Sequence, residues 1–114
     1  MLNSTYNQLL DLSNVPDISP SEFIRESMRI MGYTFIDMGI YIKEEYSDFE
    51  SPSVGFILGW LKNSQEYITL SIWEGHCDNG YYPAIKIKDA PPLLRMLDSF
   101  LDSVNEYRLD KELK

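Results

Sequence analysis

The sequence predicts an α+β fold: a four-stranded antiparallel β-meander with N-terminal helices and a long C-terminal helix packed mainly on one face. Three observations lead there. Apolar residues recur at helical spacing over residues 20–31 and again beyond residue 90. Between these stretches the period drops to two in four separate runs. The links between the later runs are short, which favours antiparallel neighbours.

Each element has its own local reason. Asn3 or Ser4 can cap a short first helix that carries Tyr6, Leu9 and Leu10 on one side. A turn-rich stretch then leads to Ser19-Pro20-Ser21-Glu22, a capping box with proline at the first helical position. The helix that follows should run from Pro20 to Met31, with Phe23, Ile24, Met28 and Met31 on its apolar face and Gly32 as its C-terminal cap. From Tyr33, the residues Ile36, Met38, Ile40 and Ile42 alternate with Phe35, Asp37, Gly39 and Tyr41, which predicts one continuous strand. Three further strands are expected at about 54–62, 66–74 and 81–88. After Asp89 and the pair Pro91-Pro92, the stripe Leu93, Leu97, Phe100, Leu101, Val104 and Tyr107 marks a long amphipathic helix with that stripe toward the core.

A turn at Asn63-Ser64 would set Ile57 opposite Leu70, Gly59 opposite Ile68 and Gly55 opposite Ile72. A symmetric link through residues 75–80 would add Ile85 and Ile87 to the same aliphatic face, and the pattern of the first strand puts Ile36 beside Leu61 and Met38 beside Gly59. The bare glycines on that face invite the C-terminal helix to dock there. The other face would then carry Phe56, Leu58, Trp60, Tyr67, Trp73 and Tyr82, joined by Asp37, Tyr41, Lys86 and Lys88. Aromatic and charged residues mixed in this way are the composition of an interface rather than of a solvated face.

The bulk composition narrows the function. At 114 residues, with 44% hydrophobic and 25% charged residues, the chain is expected to be one domain with a core of its own. The single cysteine cannot form an internal disulfide, no secretory leader is visible, and no apolar run approaches the ~18 residues that span a bilayer, so a cytoplasmic protein without a membrane role is expected. Eighteen acids against ten bases leave a net charge of −8, which repels phosphate backbones and attracts basic proteins. Direct nucleic-acid binding is therefore not expected.

Two acidic runs stand out. Glu44, Glu45, Asp48 and Glu50 crowd one loop with Tyr46 and Phe49, while Asp98, Asp102, Glu106 and Asp110 recur every fourth residue of the last helix. Four helical residues rise about 6 Å, so the second set forms a ridge that could imitate a phosphate backbone; the alternative is a solvated face partly neutralised by Arg95 and Arg108.

The only histidine, His76, and the only cysteine, Cys77, sit in WEGHCDNGYY between Glu74 and Asp78. Adjacent side chains usually point apart, the paired spacing of zinc ligands is missing, and Asp78-Asn79-Gly80 is strong turn chemistry. This stretch reads as a hairpin turn. Phosphate loops, metal motifs and a nucleophile elbow are absent from the sequence, so neither catalysis nor a cofactor or metal is expected.

These features together suit a small acidic inhibitor that binds another protein. The expected partner is a basic toxin, nuclease or nucleic-acid-binding complex, as for an immunity protein, an antitoxin or a phage anti-defence protein. The expected contact residues are Asp37, Tyr41, Glu44, Glu45, Asp48, Glu50, Phe56, Trp60, Tyr67, Trp73 and Tyr82, with the ridge of Asp98, Asp102, Glu106 and Asp110 as a second surface. The competing expectation is a homodimeric structural or adaptor domain that buries its aromatic face against a second copy.

Overall fold

A computed structural model describes residues 4–46, 54–74 and 82–112. In order along the chain the elements are helices α1 (Ser4–Ser13) and α2 (Pro20–Met31), strands β1 (Tyr33–Asp37), β2 (Ile40–Lys43), β3 (Gly55–Trp60), β4 (Tyr67–Trp73) and β5 (Ala84–Lys86), and helix α3 (Ala90–Glu112). The α+β class and the long C-terminal helix follow the expectation. The sheet, however, has five strands, all antiparallel neighbours in the order β1-β2-β3-β4-β5.

The second helix begins and ends where its local chemistry dictates. The Ser19 hydroxyl accepts a hydrogen bond from the Glu22 N–H at 3.2 Å, and Pro20 occupies the first turn, where its missing N–H is no loss. At the other end Gly32, with φ of 82°, turns its N–H back to the carbonyls of Arg29 and Met28.

The additional strand arises from a reversal inside the run expected to be continuous. Met38 and Gly39 both have positive φ, 49° and 80°, and form a two-residue turn closed by the pair Asp37 and Ile40. A β-carbon on Gly39 would lie 2.5 Å from the Leu58 carbonyl oxygen, so this turn closes against β3 only with glycine there. The expected register of the first strand survives where it reaches β3, with Ile40 beside Ile57 and Tyr41 beside Phe56; the residues before the turn fold back to become an outer edge.

The register between β3 and β4 differs from the expectation by one residue. Phe56 lies opposite Ile72, Leu58 opposite Leu70 and Trp60 opposite Ile68. The expected aromatic face is therefore divided. Phe56, Leu58 and Trp60 share the helix-covered side with Ile68, Leu70 and Ile72, whereas Tyr67 and Trp73 share the other side with Gly55, Ile57 and Gly59. Between β4 and β5, Ile68 pairs with Ile85 rather than with Ile87; that two-residue shift keeps the faces, and Ile87 enters a short 3₁₀ turn (Ile87–Asp89) ahead of α3.

The core lies between that sheet face and the three helices. Leu9 from α1, Phe23, Ile24 and Met28 from α2, and Leu94 and Leu101 from α3 are buried against Tyr33, Phe56, Leu58, Ile68 and Leu70. The docking of α3 over Gly55 and Gly59 is thus corrected: the helices lie on the opposite face. Part of the stripe expected to point inward from α3 is corrected too, since Phe100 and Tyr107 are 55% and 61% exposed.

Candidate functional site

Two surfaces emerge. The first is an acidic corner where β2 ends beside α3. Lys43 reaches α3 and its ammonium donates to Asp98 Oδ1 at 3.0 Å and to both oxygens of Asp102 at 2.8 and 2.9 Å. Residues four apart share a helix face, so the two carboxylates stand one turn apart and straddle the cation. Tyr33, opposite Lys43 in the ladder, donates its hydroxyl proton to the same Asp98 oxygen at 2.8 Å.

The electrostatics follow from this geometry. Burial pushes the Tyr33 hydroxyl well above the usual tyrosine range, and the charge of Asp98 and the bond donated to it push it further. For Lys43 burial pulls downward, but the hydrogen bonds to Asp102 and Asp98 outweigh it and the ammonium is held above its ordinary value. Tyr46, buried in the 3₁₀ turn Glu44–Tyr46, is raised by burial and then by the charges of Glu45, Asp102 and Glu106. All three carboxylates therefore act through their charge on one phenol, and Lys43 opposes them. Glu45 of the first acidic run and Asp102 and Glu106 of the second, half the chain apart in sequence, thus act on the same residue.

All three groups, Tyr33, Lys43 and Tyr46, hold their protons more tightly in the folded state. When pH rises past about 10, an unfolded tyrosine loses its proton while Tyr33 keeps it, so stability must fall, and Lys43 acts in the same direction. Urea unfolding measured between about pH 9 and 11 should show Tyr33→Phe losing less stability per pH unit than the wild type, by up to about 1.4 kcal/mol. Parallel curves would remove Tyr33 from this account.

The second surface is the sheet face that carries no helix. Ile40, Ile57 and Ser71 form one row across β2, β3 and β4, and Gly59, Thr69 and Ala84 form another across β3, β4 and β5. Trp73 stands opposite Gly55 and Tyr67 opposite Lys86, which places them at the two ends of β4. None of Ile40, Ile57, Tyr67 or Trp73 joins the core. The Lys43 end of β2, the Gly55 end of β3 and the Trp73 end of β4 are the same end of the sheet, so Trp73 lies toward the acidic corner.

The residues expected to contact a partner are distributed over these and other places. Phe56 is fully buried; Tyr41 is half-buried on the helix side, its ring 5.4 Å from that of Phe35; Trp60 is on the helix side but 53% exposed at the strand end. Asp37 is exposed beside the Met38-Gly39 turn, and Tyr82 is half-buried just before β5. Asp98 and Asp102 are committed to Lys43, while Glu44, Glu45, Glu106 and Asp110 are exposed. Asp48, Glu50, His76 and Cys77 lie outside the described residues, and among the described residues no group of three or more metal-ligating side chains is gathered. Sequence reasoning overlooked Lys43. It is the only base between Arg29 and Lys62, and such an isolated cation amid acids was the available signal.

Comparison of the chain with protein-family models, curated proteins and solved structures finds no match. No helix among the described residues is long and apolar enough to cross a membrane.

Proposed function

We propose that the protein acts by binding a basic protein, as a stoichiometric inhibitor of a toxin, nuclease or other nucleic-acid-handling protein, in the manner of an immunity protein, an antitoxin or a phage anti-defence protein. The observation that carries the reading is the helix-free sheet face, where Ile40, Ile57, Tyr67 and Trp73 lie outside the core. Aromatic and aliphatic side chains on a rigid sheet are the kind of anchor that dominates interface energetics. The acidic corner toward the same end supplies the complementary contribution: exposed Glu44, Glu45 and Glu106 would attract a basic surface and speed the encounter. A cytoplasmic site of action belongs to the same reading.

The test is affinity capture from lysate with the wild-type chain, Trp73→Ala and a Glu44→Gln/Glu45→Gln/Glu106→Gln variant in parallel. The reading expects a basic protein held in stoichiometric amount by the wild type, a tenfold or greater affinity loss (about 1.4 kcal/mol) with Trp73→Ala, and slower, less salt-sensitive association with the charge variant. Capture indifferent to all of these changes would sink it.

A further inference from the structure

The helix α3 is apolar on two sides. Leu94, Leu101 and Asn105 face inward and are buried, yet Met96, Phe100 and Tyr107 on the outward side are 61%, 55% and 61% exposed, with Ser103 exposed between them. These four positions recur every three or four residues, so they form a single stripe along the helix. A helix that is apolar on both sides is normally covered on both. From this stripe we infer that the protein is a twofold dimer in which α3 of one copy packs antiparallel against α3 of a second copy.

The pattern of the stripe selects a second copy as the occupant. With the axis level with the Leu101–Asp102 peptide, Phe100 of one helix comes level with Ser103 of the other, and Met96 comes level with Tyr107. Large meets small, and a thioether meets an aromatic ring. Beside Met96 lies a groove of about 350 Å³ between α1 and α3, lined by Tyr6, Pro92, Arg95, Met96 and Ser99, into which the second copy's Tyr107 ring would fit.

Charge favours the same arrangement. Arg95 and Glu106 are exposed on one flank of the stripe, and antiparallel packing brings the Arg95 of each helix within about two residues' rise, roughly 3 Å, of the level of the other's Glu106. The two Glu106 carboxylates then stand about 13 Å apart along the axis, beyond the ~8 Å screening length at physiological salt. Parallel packing would bring them level. This dimer does not rest on the proposed partner-binding reading: its interface lies across the helical layer from the helix-free sheet face that carries Ile57 and Trp73, and Glu106 is the one residue the two readings share, so Trp73→Ala tests the partner alone and Phe100→Asp the dimer alone.

The measurement is the molar mass of the full chain by light scattering during gel filtration, at concentrations about tenfold apart. Wild type should run at twice the chain mass, and Phe100→Asp or Met96→Glu should run as a monomer with an unchanged circular dichroism spectrum, since both positions are exposed. Arg95→Glu and Glu106→Arg should each weaken the dimer about tenfold or more, and the double variant R95E/E106R should restore it. A wild-type monomer at the higher concentration would overturn the inference. So would a dimer that ignores Phe100→Asp but is broken by Ile57→Asp, which would move the interface to the sheet.

Discussion

Phe56→Ala is expected to lower the free energy of unfolding by about 3–5 kcal/mol, the range for truncating a fully buried aromatic side chain. The position offers no relief, because Phe56 has no exposed surface and sits between Tyr41 on β2 and Ile72 on β4. Its ring lies 5.1 Å from that of Tyr33, in tilted contact. A chain of this size is typically stable by only 5–15 kcal/mol, so the variant should be close to unfolding at physiological temperature. Trp73→Ala, on the helix-free face, removes a larger side chain but a half-buried one, and should cost no more than about 2 kcal/mol. Urea unfolding of both variants measures which face of the sheet is the core. Equal losses, or a larger loss from Trp73→Ala, would mean that the register is wrong.

The register between β3 and β4 is where the structure departs furthest from the pattern of the sequence. Helix α2 was legible to the residue, since Ser19, Pro20 and Gly32 each act through local backbone chemistry that needs no tertiary partner. The faces of β3 and β4 were not, because they depend on the parity of the connection. Trp60 pairs with Ile68, which leaves seven residues between them rather than the even number that a two-residue turn implies. One residue of slip moves every side chain of one strand to the other face. The signal against the slip was nevertheless present in β3 itself: Phe56, Leu58 and Trp60 alternate with Gly55, Ile57 and Gly59, and the bulkier set belongs on the covered side.

The β1–β2 turn was hidden for a different reason. Met38 occupies a positive-φ position that asparagine, aspartate or glycine would normally announce, so the alternating pattern read straight through it. For the candidate site, both acidic runs were visible as runs. That the end of β2 meets the second run was not, because it depends on Lys43 reaching carboxylates more than fifty residues away.

Asn105→Leu is the second large loss, expected at about 2–4 kcal/mol. The side chain of Asn105 is buried and bonds both backbone groups of Val54: its Oδ1 accepts from the Val54 N–H at 3.0 Å and its amide donates to the Val54 carbonyl at 3.2 Å. It thus takes the place of a strand partner for the residue just before β3. Leucine would fill the space but leave a buried donor and a buried acceptor unpaired, at about 1–3 kcal/mol each. Asn105→Asp separates hydrogen bonding from packing. The carboxylate can still accept from the N–H but faces the carbonyl oxygen, and burial raises its folded-state pKa above the unfolded value. Stability then improves as pH falls and the acid regains a proton that it can donate, so the deficit of Asn105→Asp should shrink from neutral to acidic pH while that of Asn105→Leu stays constant. The consequence reaches the outer side of α3. Asp98, bonded to Tyr33 and Lys43, and Asn105, bonded to Val54, lie seven residues apart on the inward side, and fixing both sets the rotation of the helix about its axis. That rotation is what turns Met96, Phe100 and Tyr107 outward, so Asn105→Leu should also weaken the dimer at concentrations where the monomer is still folded.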